Sequence, residues 1–139
     1  MSAEIHRLSS KQPDSEKITI NLGFVDLGQI DLLVREGFYS NRTDFIRTAI
    51  RTHLATHAEA VNQSVRRQTM EMGLRRYSRA ELEAARAAGE RVRIQVLGLA
   101  IIDADVSADL ARATIESISV LGALQISPAL KAALGDRIA

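Results

Sequence analysis

Cysteine and tryptophan are both absent from the 139-residue sequence, and aromatic residues make up only 4% of it. The first absence removes disulfides, thiolate metal sites, zinc fingers and cysteine nucleophiles together, and is compatible with a reducing compartment. Scarcity of aromatics leaves any core to be built from Ile, Leu, Val and Ala, within an apolar share of 46%. No apolar run approaches the roughly 20 residues needed to span a bilayer, and the polar start, Met1 to Ser15, lacks the apolar stretch of a signal peptide. A soluble cytoplasmic protein without a membrane partner is expected. Strong net charge is missing as well: residues 1–76 carry eleven Lys/Arg against nine Asp/Glu, and residues 77–139 carry seven against eight, for +1 overall. Such a balance does not identify a partner. A DNA binder need not be basic overall, provided its basic groups and helix N-termini converge on one face.

At this length the chain has room for one ordinary domain, or for two very small units that share a core or borrow one from a partner subunit. Residues 1–15 show scattered charges, a proline and no apolar period, which reads as a mobile arm whose His6, Arg7 and Lys11 could touch phosphates. In Glu16–Leu22, Ile18, Ile20 and Leu22 alternate with Lys17, Thr19 and Asn21, the period of two that predicts a half-buried strand. No neighbouring strand is available to pair with it. The next segment has apolar residues at Leu27, Ile30, Leu33 and Val34, a helical spacing that Gly37 would end. After that glycine, Ser40 or Asn41 can N-cap a second helix with an apolar face of Phe45, Ile46, Ala49, Ile50 and Leu54 and a polar face of Arg42, Arg47 and Arg51.

Residues 55–90 are expected to be a helical linker, with Gly73 as a break, a Ser78-x-x-Glu81 capping box and Gly89 as a stop. Residues 91–139 hold an internal repeat with a 24-residue offset. Ile94, Val96, Leu97, Gly98 and Ile102 recur as Ile118, Val120, Leu121, Gly122 and Ile126. Each copy reads strand first and then a polar or helical return, which fits either two turns of a short β-solenoid or a paired βαβα unit. The fold class expected is therefore α+β, with an N-terminal strand and two helices followed by a small β-rich or α/β repeat unit.

Residues 16–54 resemble the ribbon-helix-helix DNA-binding family, the fold of CopG-type repressors and of many antitoxins. The resemblance is carried by the strand KITINL, the helix ending REG, and GFYSNRTDFIRTAIRTHL, with its Gly, small polar N-cap, acid, apolar pair and Arg before an Ala-Ile step. It implies a homodimer in which the strands of two chains pair as a ribbon, burying Ile18, Ile20 and Leu22 on Leu27, Ile30, Phe45, Ile46, Ala49 and Ile50. The physics of a solitary amphipathic strand agrees with this, since pairing with its twin satisfies the backbone. The outer ribbon face then shows Lys17, Thr19 and Asn21 twice to the major groove of an operator in double-stranded DNA. Asn suits adenine, Lys suits guanine, and Thr can touch a thymine methyl. Ser40, Asn41 and Arg42, at the start of the second helix, form an anion site for a DNA phosphate. Two departures from the family pattern are Gly28 inside the first helix and Phe24 where a polar residue is more usual.

His53 and His57 stand four apart, but no third ligand is apparent, so no metal and no cofactor are expected. Asp103, Asp105 and Asp109 are accompanied by no base, nucleophile or phosphate loop; a polar loop before a helix capped by Ser107 accounts for them, and no catalytic residue is assigned. The function expected is that of a non-enzymatic, sequence-specific repressor, assembled into a higher homo-oligomer through residues 91–139. One alternative is an antitoxin whose C-terminal half binds a toxin protein. Another is an assembly protein polymerising through its repeats.

Overall fold

The computed structural model describes residues 15–139; the N-terminal arm, with His6, Arg7 and Lys11, lies outside them. The chain divides into two compact units at the Ala58–Glu59 step.

In the N-terminal unit, residues 16–22 belong to no helix and to no sheet. Helix α1 (Phe24–Arg35) follows, then α2 (Arg42–Thr56). Helix α1 ends as its glycine predicts: Gly37 takes φ 87°, the Phe38 amide donates to the Leu33 carbonyl and the Gly37 amide donates to that of Val34. That pair of bonds is the Schellman closure, which satisfies two carbonyls the helix end would otherwise leave open. Helix α2 starts at Asn41, whose side chain accepts from the Asp44 amide at 2.8 Å, while the Asp44 carboxylate accepts from the Ser40 amide at 2.9 Å. This reciprocal cap fixes the chain's entry into the helix.

In the second unit, helix α3 (Ala58–Arg67) leads to strand β1 (Glu71–Tyr77), α4 (Arg79–Ala87), β2 (Val92–Ile102), α5 (Ala108–Thr114), β3 (Ile115–Gln125), α6 (Pro128–Leu134) and a 3-10 turn (Gly135–Arg137). The strands form one parallel sheet in chain order. Leu82 of α4, Leu110 and Ala111 of α5, and Leu130 and Leu134 of α6 pack with Tyr77, Ile94, Val96, Ala100, Ile102, Ile115 and Ile118 as one buried cluster. All three helices therefore cover the same face of the sheet. Ser78, Ser107 and Ser127 each cap the helix that follows, with the side-chain oxygen accepting from an amide three residues on.

Residues related by the 24-residue offset stand side by side: Ile94 beside Ile118, Val96 beside Val120, Leu97 beside Leu121 and Gly98 beside Gly122. One expectation is corrected. Residues 71–77, read as helix-permissive within a helical linker, form β1, and Met72, Gly73 and Leu74 pair with Leu97, Gly98 and Leu99. The unit thus contains three strand-helix steps, and Gly73 is a member of the repeat and not a helix break. Tertiary pairing overrides helix propensity here, because β2 offers β1 a complete row of hydrogen-bonding partners.

Those three glycines form a ladder. Their φ values are 118°, 137° and 122°. A Cβ at Gly98 would stand 2.2 Å from the Gly73 carbonyl oxygen, and one at Gly122 would stand 2.1 Å from that of Gly98. Only glycine combines this backbone with so close an approach of the neighbouring strand.

Candidate nucleic-acid interface

The expected base-reading residues Lys17, Thr19 and Asn21 are all exposed, on a segment with no partner strand among the described residues. The apolar side chains that alternate with them are exposed too, Ile18 at 72% and Ile20 at 55%, with Leu22 at the margin. Helices α1 and α2 pack on each other, yet Ile30 is the one buried side chain among the described residues of this unit. Leu27, Phe45 and Ile46 are half-buried, while Ala49 and Ile50 are exposed. Two helices of 12 and 15 residues that bury so little cannot offset the conformational entropy lost on ordering them. Their apolar faces and the segment before them are left largely exposed.

At the start of α2 the residues expected to hold a phosphate have a specific geometry. Arg42 reaches back to Asp31 of α1 through two parallel bonds of 2.8 Å, Nε to Oδ1 and Nη2 to Oδ2. The fork is exposed but bidentate, the stronger form of an ion pair. Hydrogen bonding to Arg42 lowers the pKa of Asp31 and raises that of Arg42 in turn. Ser40 and Asn41 are exposed beside it, with the Ser40 amide and the Asn41 side chain engaged in the cap. Sequence reasoning named Arg42 but missed Asp31. The signal was there: Asp31 lies one residue beyond Ile30 on α1, at a position otherwise unexplained by capping. Tyr39 stacks edge-to-face on Phe45, with ring centroids 5.0 Å apart, so the turn between the helices is anchored on α2.

A family model for ribbon-helix-helix transcriptional regulators matches residues 13–131. The chain belongs to that family. Its members bind DNA and typically dimerise, and the match runs through both units. Regulators of this kind are generally not enzymes. No curated protein and no solved structure matches the chain.

The residues set aside as possible ligands are held elsewhere. His53 and His57 face each other edge-on, with centroids 5.2 Å apart. Asp103 pairs with Arg76 at 2.9 Å, and Asp105 approaches Arg79 at 3.9 Å. Asp109 stands in the first turn of α5, where the helix dipole favours an acid. Among the described residues, no group of three or more His, Asp or Glu side chains gathers at one point, and no helix is long and apolar enough to cross a membrane.

Proposed function

We propose that this regulator is a sequence-specific repressor that acts as a dimer, with residues 16–22 of two chains paired antiparallel and their outer face inserted into the major groove of an operator. The observation that carries the reading is a segment with apolar and polar side chains on alternate positions, exposed on both faces and paired with no strand among the described residues. Pairing would satisfy its backbone and seat Ile18, Ile20 and Leu22 on the open apolar surfaces of α1 and α2. Lys17, Thr19 and Asn21 would then be displayed twice, related by the dimer two-fold, and read base edges.

Phosphate contact would come from the start of α2. The cap uses the Ser40 amide and the Asn41 side chain, leaving the amides of Arg42 and Thr43 as the first-turn donors that point out of the helix. Arg42 would exchange Asp31 for a phosphate oxygen on docking, so the ion pair holds the guanidinium in place until DNA arrives. The repeat unit, through residues 91–139, would join ribbon dimers into a higher oligomer that occupies neighbouring half-sites together.

The test is selection of preferred sites from a random duplex library, followed by binding assays on Thr19→Ala and Asn21→Ala. Each lost base contact is expected to lower discrimination by about 1 to 3 kcal/mol, with circular dichroism unchanged. Undiminished site preference in both variants would remove the ribbon from DNA recognition.

A further inference from the structure

Helices α4, α5 and α6 cover one face of the three-stranded sheet, and on the other Met72, Leu74 and Leu121 are exposed while Ile101 is buried. That second face is apolar. Met72, Leu97 and Leu121 stand in one row across β1, β2 and β3, and Leu74, Leu99 and Ala123 stand in the next. Leu74 is 63% exposed, Leu121 59% and Met72 55%, although all three lie within regular strands. Parallel sheets are as a rule buried on both faces, and contiguous apolar patches rimmed by polar groups mark interaction sites. Arg93 and Gln95 stand before the two rows, and after them Arg76 and Gln125 flank the buried Ile101.

We propose that the exposed part of this face is the contact by which two copies of the chain, from different ribbon dimers, join back to back about a two-fold axis parallel to the strands. It rests on the oligomer assigned above to the repeat unit, and names the surface responsible. Three features select a second copy as the occupant. The family dimerises, so a ribbon dimer carries the patch twice, and two dimers can meet through two such faces, each contact raising the local concentration for the other. That matters because six side chains fall short of the roughly 800 Å² per partner that a stand-alone interface needs. The patch is also complementary to itself. The most exposed side chain, Leu74, stands at its β1 edge, and the smallest, Ala123, stands at its β3 edge. A two-fold along the strands lays Leu74 over the partner copy's Ala123 at both ends while β2 lies over β2. The same rotation brings Arg76 beside a glutamine and not beside another arginine, and no charged side chain enters the two apolar rows.

The experiment uses the full-length chain. Sedimentation equilibrium at micromolar concentration is compared for the wild type, Leu74→Glu and Leu121→Glu, positions exposed enough for the strands to tolerate the change. The expected result is a halving of mass, from four chains to two. A fall from two chains to one would keep this face and remove the ribbon dimer instead, so the two readings fail separately. An unchanged mass in both variants, whether the wild type is a dimer or larger, would overturn the proposal, and would leave the face to a different protein such as a toxin. A second measurement fixes the orientation and does not depend on the glutamate variants folding. The sequence has no cysteine, so Leu74→Cys and Ala123→Cys, made in separate chains and then co-assembled, give each chain a single thiol and leave no link possible within a chain. Sheets packed face to face stand roughly 10 Å apart, beyond a disulfide but within the span of a short bifunctional thiol reagent. Such a reagent should therefore join Leu74→Cys chains to Ala123→Cys chains, and failure to cross-link would refute the back-to-back arrangement.

Discussion

Asp31 and Arg42 are eleven residues apart, on different helices, and their two-bond fork is what ties the end of α1 to the start of α2. The pair also gives this unit a dependence on acid. Because hydrogen bonding to Arg42 lowers the Asp31 pKa in the folded chain, the stabilisation is complete above the ordinary carboxylate value of about 4. It is lost as pH falls through the lower folded value. Acid titration of wild type and Asp31→Asn should thus converge at low pH and separate above it, the wild type being the more stable; parallel curves would show that the fork contributes nothing. The opposite sign applies to Tyr77, buried in the second unit, whose phenol burial pushes above its usual value. Its contribution is complete below about pH 10 and declines as pH rises through the folded value, so alkaline unfolding should begin in the repeat unit, ahead of the point set for a Tyr77→Phe variant.

At the scale of the element, the glycine ladder is the feature on which most depends. A methyl group at Gly98 meets the carbonyl of Gly73 at the heart of the β1–β2 pair, and the φ of 137° is itself closed to other residues. Gly98→Ala is therefore expected to destabilise the sheet by on the order of 3 kcal/mol or more, measured as a loss of the second unit's unfolding transition. Gly28→Ala makes the contrast: a Cβ there meets nothing within 4 Å, and the exchange within α1 should stabilise the helix by up to about 1 kcal/mol. Helix starts and stops were legible residue by residue. Asn41, Ser78 and Ser107 cap the helices expected of them, and Gly37 and Gly89 close theirs with positive φ, because capping depends on a few neighbouring atoms. Strand β1 was not legible. As an edge strand it carries Glu71 and Arg75 where its neighbour has Val96 and Ala100, and these charges, which guard the open edge and pair with each other at 3.2 Å, erased the apolar signature that the other two copies share.

For the whole molecule, the contrast between the two units is the informative quantity. Nearly all the buried side chains of the described chain belong to the second unit, and most of its exposed large apolar residues belong to the first. A unit that completes its core only with a second chain has a stability tied to concentration. Its melting temperature should accordingly rise with protein concentration; a first unit insensitive to concentration would contradict the dimer. The alternation in residues 16–22, the two helical faces and the caps are local patterns, and the sequence alone determined them, together with the family, since each rests on residues within a turn or two of one another. Which strands lie side by side, that a third copy of the repeat exists, that Asp31 holds Arg42, and that one face of the sheet is left partly exposed were decided only in three dimensions. Such relations depend on distances between residues far apart along the chain, and no local pattern encodes them.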